Sequence, residues 1–385
     1  MNRRTPRFLE LRGVVMIYVS LLAMSLVALT LSLSTAAAAG DVGAARPATS
    51  QTSAAAVPPA TSDVRGATTV ALKDIPPLYT EPRLPGEGIW VKEDLSEGQD
   101  AEPLVYRTFY RPSEKFPNAI VHMMLLNMKA MSARLYLGSA EPCRQGSLSR
   151  VEEESQPGLV AITNALWQTR HAGKGGIVFR GKVLKKMDPG VAAIVFYNND
   201  TVDILEWSDE IPVSDVRDAR QLKHLIVKDG KVVTTTHTRG GVVSAEIGLG
   251  SLLDEARPVI EVPSETPGEK PSHKLNITSG DLWFIATRSA FGIRPDGSLV
   301  FAIGHHISTA DLAKALVLAG CVRAIHGDAN PGNCVGILYV RDESGQIVNK
   351  DRLSPAQDKS SLERYLKSTY PKDFVAFFRR PAPTN

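Results

Sequence analysis

Apolar positions along this chain recur mostly at every second residue, in short runs separated by polar turns. The clearest case is DLWFIATRSAFGIRPDGSLVFAIG, where Pro295-Asp296-Gly297 joins two apolar, β-branched runs into a predicted hairpin. LVYRTFYR, AIVHMMLLNMK and ARLYLG, from Leu104 to Gly138, predict opening strands, with His122 alternating into apolar neighbours as a core or edge histidine. Arg150 to Gln156 is helix-compatible, and Leu159 to Ile162 reads as a buried strand ending in Thr163-Asn164-Ala165-Leu166-Trp167. Further strand-turn-strand units are predicted at 175–183, around Asn198-Asn199-Asp200 and around Asp229-Gly230. One stretch departs from period two. Ser308 can cap a helix whose apolar face is Leu312, Ala315, Leu316 and Ala319, with Gly320 placed to end it. A short strand, CVRAI, then leads into the polar loop His326 to Asn333, and the chain leaves through VGILYV. The pattern predicts a single α+β domain built on a mixed, largely antiparallel sheet with a few flanking helices.

Composition adds compartment and excludes some partners. With 385 residues and 43% hydrophobic positions the chain can bury a large core, which excludes wholesale disorder. The net charge of +3 is supplied before residue 40 by Arg3, Arg4, Arg7 and Arg12 against Glu10, so the rest of the chain is neutral. No basic stripe marks a nucleic-acid partner. The arginines precede an apolar run from Val14 to about Leu33 and then small residues, so 1–39 reads as an export signal, either cleaved or kept as a membrane anchor. Residues 40–74, rich in Ala, Pro, Ser and Thr, read as a disordered linker, 75–378 as the folded domain and 379–385 as a polar tail. The protein is therefore expected in the periplasm or outside the cell. Cys143, Cys321 and Cys334 leave two alternatives, a Cys321–Cys334 bridge closing the His326 to Asn333 loop or three buried thiols. The absence of a CxxC pair argues against a cysteine metal site, though metal dependence stays open, and no cofactor is expected.

The ordered series Thr287-Arg288-Ser289-Ala290-Phe291-Gly292, Pro295-Asp296-Gly297, the helix ending in Gly320-Cys321, and then Asp328 resembles the phosphodiester glycosidase family. The resemblance spans about Leu84 to Val340 and implies a hydrolase acting on a glycan or sugar-phosphate diester. Cleavage at an anomeric carbon develops oxocarbenium character and releases a phosphate monoester, whose charge needs a cation or N–H donors. Arg288 has the planar fork for that task, and Thr287 and Ser289 could add hydroxyls. Strand alternation sets Arg288 on the face opposite both of them, so the three can converge only through a twist or bulge. Asp328 is the candidate nucleophile, base or substrate anchor, with His326 as acid or base two residues before it and Asn164 and Asn330 as substrate-binding amides. The second carboxylate of a two-carboxylate glycosidase is not assigned by the sequence, Glu246 and Asp281 being only candidates, while Asp296 is explained by its turn. Asn164 also reads as a turn residue bonding its own backbone, and Arg288 as an ordinary outward-facing strand arginine.

Two departures touch site loops. The family has Asn-Leu-Asp, three glycines and a hydroxyl residue where this chain has His326-Gly327-Asp328-Ala329-Asn330-Pro331-Gly332, and the glycine after Asn164 is Ala165. Side chains and a proline remove part of a backbone phosphate cradle. The alternative is therefore a non-catalytic glycan- or partner-binding protein on the same scaffold. Oligomeric state stays open.

Overall fold

The structure is a computed structural model that describes residues 72–93, 95, 103–142, 147–169, 175–233, 236–239, 242–245, 285–342, 346–357 and 362–380. All of them fall in one compact unit, Arg65–Asn385, and the other unit, Met1–Val64, is outside the described residues. The expected signal or anchor, most of the linker, Cys143, Glu246 and Asp281 likewise lie outside them. Among the described residues no helix is long and apolar enough to cross a membrane.

The architecture is largely β: antiparallel strands and few helices are as expected, but the strands divide among several sheets, with too little helix to make it clearly α+β. An eight-stranded sheet runs in the order Val91–Lys92, Val105–Tyr110, Val121–Leu126, Leu299–Ile307, Ala286–Ile293, Arg323–His326, Leu225–Lys228, Lys231–Val232. A second sheet of five strands is centred on Val216–Gln221, and a third, also of five, on Leu159–Asn164. Thr236–Arg239 and Val242–Ala245 form a separate two-stranded ribbon. Among the described strands every pairing is antiparallel. The physical reason is the shortage of crossover helices: parallel neighbours need a connection of roughly a dozen residues or more, whereas antiparallel ones can join through tight turns.

The three sheets share one core. Met124 and Leu126, Phe291, Phe301 and Ile303 of the large sheet meet Ile194 and Phe196 of the second sheet and Ala161, Val375 and Phe377 of the third. The intervening residues of the large sheet, Val121, Met123, Leu125, Ala290, Val300 and Ala302, face the helix Thr309–Leu318. That helix starts where the sequence places it, with the Ser308 hydroxyl accepting from the Asp311 amide at 3.0 Å. It ends at Gly320, whose φ of +86° opens a closing turn in which the Cys321 amide reaches back to the Leu316 carbonyl at 3.0 Å. At ten residues it is too short to hold by propensity alone, so the burial of Leu312, Ala315 and Leu316 against the sheet is what stabilises it.

Cys321 and Cys334 are both free thiols, so the bridge does not form. They belong to different layers: Cys321 is wedged between helix and strand, where a Cβ on Gly292 would come within 2.5 Å of its sulfur, and Cys334 lies in the shared core. Burial pushes both thiols up from their ordinary value, which removes the thiolate needed for exchange. Alkylation of protein unfolded without reductant is expected to label both residues, read by peptide mass. A Cys321–Cys334 linked peptide would contradict this packing.

Candidate functional site

The site is built on the middle of the large sheet, where Ala286–Ile293 runs between Leu299–Ile307 and Arg323–His326. Beyond His326 the chain stays in register for two more residues: the Gly327 amide donates to the Ser289 carbonyl at 2.7 Å and the Ser289 amide to the Asp328 carbonyl at 2.8 Å. Glycine is required at 327 because a Cβ there would collide with the Ser289 hydroxyl. That hydroxyl accepts from the Asn164 side-chain amide at 2.8 Å and from the Asp328 amide at 2.9 Å. Asn164 also donates to the Ala165 carbonyl at 2.7 Å and accepts from the Val335 amide at 3.0 Å. The amide thus ties the third sheet to the large one, and it also makes the local backbone bond expected of a turn residue.

Asp328 turns its carboxylate on its own loop. One oxygen accepts from the amides of Ala329 at 2.7 Å and Asn330 at 3.0 Å, while the Asn330 side chain accepts from Gly332 at 2.9 Å. Burial raises the Asp328 carboxyl above its ordinary value, opposed by those two amides and by Lys372. The loop is therefore held by the Asp328 carboxylate and the Asn330 side-chain amide.

Thr287, Arg288 and Ser289 have different partners, on a strand whose register shifts between Ala286 and Arg288. Thr287 contacts the His305 ring at 3.3 Å, and His305 reaches Ser354 at 3.0 Å on its other nitrogen. Arg288, 3% exposed, donates from Nε to the Ile307 carbonyl at 3.1 Å and stands 3.3 Å from Nε2 of His326. Burial pulls its guanidinium down to about 10. The His326 imidazole is held well below its ordinary value by burial and then by three neighbouring basic groups, Arg288, Lys223 and His224, so it is neutral at pH 7. Trp167 packs edge-on against it at 5.9 Å, and the Lys223 ammonium lies 4.8 Å over the Trp167 ring. Asn164, Ser289 and Asp328 thus meet at one node and Arg288 and His326 at another, joined through the Gly327-Asp328 backbone.

No protein-family model matches the sequence, and no curated protein matches it either. Solved structures of similar fold include the zebrafish N-acetylglucosamine-1-phosphodiester α-N-acetylglucosaminidase catalytic domain auto-inhibited by pro-peptide, at TM-score 0.42 and 12% identity over 74% of this chain and 86% of that one. A hypothetical protein from Synechocystis aligns at TM-score 0.31 and 10% identity, over 73% of this chain and 64% of that one. The likeness is coarse and concerns fold alone.

Beside the site lies a charged cluster that pattern reading misses. Arg220, fully buried, stands 2.9 Å from the Asp373 carboxylate and 3.8 Å from Glu141, and donates to the Trp167 carbonyl at 2.6 Å. Asp373 accepts from the Gly138 amide at 2.8 Å, and Glu141 accepts from both the amide and the hydroxyl of Thr169. These contacts clamp the segment that runs from Asn164 to Thr169 and carries Trp167 to His326. Arg220 sits in VRDARQ, which reads as an ordinary charged strand, so nothing local announces its burial.

Burial pushes Asp373 from 3.8 up to about 6, against the pull of Arg220. A carboxyl raised in the folded state binds more protons there than in the unfolded chain between these two values. Its contribution to stability therefore falls as pH rises from about 4 to 6. Asp373→Asn is expected to flatten that part of the stability profile, measured by urea unfolding at a series of pH values. An unchanged slope would mean that Asp373 is not the group responsible.

Proposed function

We propose that this chain is an exported hydrolase of phosphate-bearing glycans, with its site at the His326–Asp328 end of the large sheet. Two basic side chains lie near His326, Arg288 at 3.3 Å from its Nε2 and Lys223 over the Trp167 ring that packs against it, and this clustering is the observation that supports the assignment. Like charges held together in a partly dry site favour an anion, and a phosphoryl group matches the fork of Arg288. Hydrolysis of a sugar phosphodiester breaks the bond from the anomeric carbon to the bridging oxygen and releases a phosphate monoester. Water adds to the anomeric carbon, and its proton passes to the neutral imidazole of His326 or to the carboxylate of Asp328. Arg288 takes the charge that develops on the leaving phosphate.

A second reading, a binding protein that no longer hydrolyses, is favoured by a different observation. Asn164, Ser289 and one oxygen of Asp328 are committed to holding the loop. The test is incubation with a methyl phosphodiester of N-acetylglucosamine 1-phosphate, following methyl phosphate release, beside an uncharged nitrophenyl glycoside. Turnover of the diester alone supports the hydrolase, binding without turnover supports the second reading, and neither binding nor turnover sinks both.

A further inference from the structure

His305 and His306 form the bulge in the pairing of Ala286–Ile293 with Leu299–Ile307: Ala286 faces Ile307 and Arg288 faces Gly304, so both histidines lie opposite Thr287 alone. His306 takes the left-handed step, with φ at +53°, and is exposed. His305 is half-buried and engaged at both ring nitrogens, with Thr287 Oγ1 at 3.3 Å and with Ser354 Oγ at 3.0 Å. This chain of hydroxyl, imidazole and hydroxyl runs from the large sheet to the turn that follows Ile347–Arg352 of the third sheet, where the Gln357 amide donates to the Ser354 carbonyl at 3.1 Å. Ile347–Arg352 is an edge strand, paired among the described strands with Gly336–Arg341 alone. A second contact docks it on the large sheet, since Arg107 donates to Asp351 at 2.7 Å. The titratable and charged groups of the elements that meet here are Glu93, Arg107, His122, His306, Asp351 and Arg352. His122 pairs with Ile303, two positions before His305, and its imidazole is pulled down to about 4 by burial and then by His305 and Arg107. Burial and then His306 lower His305 in the same direction. Acid therefore adds two cations beside a guanidinium at the one seam where this edge strand meets the large sheet.

We propose that His122 and His305 form an acid-sensitive latch: as neutral imidazoles they let the edge strand Ile347–Arg352 and the turn after it dock on the large sheet, and protonation releases that segment. The inference does not depend on the hydrolysis proposed above. A histidine lowered in the docked state binds fewer protons there than after release, so docking is favoured above the ordinary value of 6.5 and weakens as pH falls from there towards 4. The raised Asp373 carboxyl acts in the opposite sense over part of this range, so a local readout is needed to isolate the latch. Release also reaches the candidate site. Gln357 Oε1 in this turn accepts from the Gly336 amide at 3.0 Å, and the neighbouring Val335 amide is the one that Asn164 holds.

The test is amide hydrogen exchange of the full chain, read by peptide mass at about pH 7.5 and about pH 5 and corrected for the intrinsic pH dependence of exchange, for the wild type and for the double variant His122→Gln with His305→Gln. In the wild type the opening constant of peptides covering 347–357 should rise about tenfold or more at the lower pH, the scale that one histidine lowered this far supplies. The helix Thr309–Leu318 should keep its protection. The double variant, whose amides can bond but do not titrate, should protect 347–357 equally at both pH values. Unchanged wild-type protection overturns the inference, and so does an equal loss in the double variant or a loss that the helix shares. Should the double variant not fold, the wild type decides by the rate at which diethyl pyrocarbonate modifies each histidine against pH, located by peptide mass. Midpoints below the ordinary value at His122 and His305, together with the wild-type loss at 347–357, support the latch, and ordinary midpoints overturn it.

Discussion

Arg220→Met is expected to destabilise the protein by about 3–5 kcal/mol, the cost of leaving a buried charge without its partner. Arg220, Glu141 and Asp373 are all fully buried in their side chains, so solvent does not screen the loss. Two carboxyl groups would remain in the shared interior with no cation between them, and the Trp167 carbonyl would lose its donor. Adding Glu141→Gln and Asp373→Asn to Arg220→Met should recover much of the stability, because neutral amides can keep bonding the Thr169 and Gly138 backbones. Urea unfolding of the single and triple variants measures both effects. A single variant as stable as the wild type would mean that the three charges are not in contact. The cluster also bonds the Asn164 to Thr169 segment, which brings Trp167 to His326. Its contribution is one of order at the site as much as stability, since a pair of this kind is often replaceable by well-packed apolar groups.

Arg288→Ala is expected to lower turnover of a sugar phosphodiester by about 10²-fold or more, the scale of removing a group that stabilises transition-state charge. Arg288→Lys keeps the charge but not the fork and should recover only part of the loss. Asp328→Asn should reduce turnover at least as far, and its melting temperature should change little because an amide oxygen can still accept from Ala329 and Asn330. If the protein binds without hydrolysing, the same Arg288→Ala change should weaken glucose 1-phosphate instead, and added salt should weaken the wild type in the same direction. Full activity or affinity in Arg288→Ala would exclude Arg288 from the site. The Asp328 result separates chemistry from structure: a large fall in melting temperature would show that its carboxylate serves mainly as the cap of its own loop.

The order of the loop 326 to 333 bears on both readings. A glycine-rich loop would present its amides to a phosphate. Here two of those amides, from Ala329 and Asn330, are turned to the Asp328 carboxylate, and that of Gly332 to the Asn330 side chain. On the proposed reading, anion recognition would fall to side chains: Arg288 of the large sheet and Lys223, in the connection between Val216–Gln221 and Leu225–Lys228.

What the sequence determined by itself is local. The hairpin through Pro295-Asp296-Gly297 forms with the Gly297 amide bonded to the Arg294 carbonyl at 3.0 Å, and the helix begins at Ser308 and closes at Gly320. Tertiary structure decided the rest. It divided the strands into three sheets and placed Phe374–Arg379, which the alternating pattern did not single out, between Leu159–Asn164 and Met131–Tyr136. It kept Cys321 and Cys334 apart although their spacing invited a bridge. It joined Asn164 to Ser289 across 125 positions and Arg220 to Asp373. A turn or a cap is specified by residues within a few positions of each other, whereas the partner of a buried charge is chosen by which sheets meet, and that depends on how the whole set of apolar faces is buried at once.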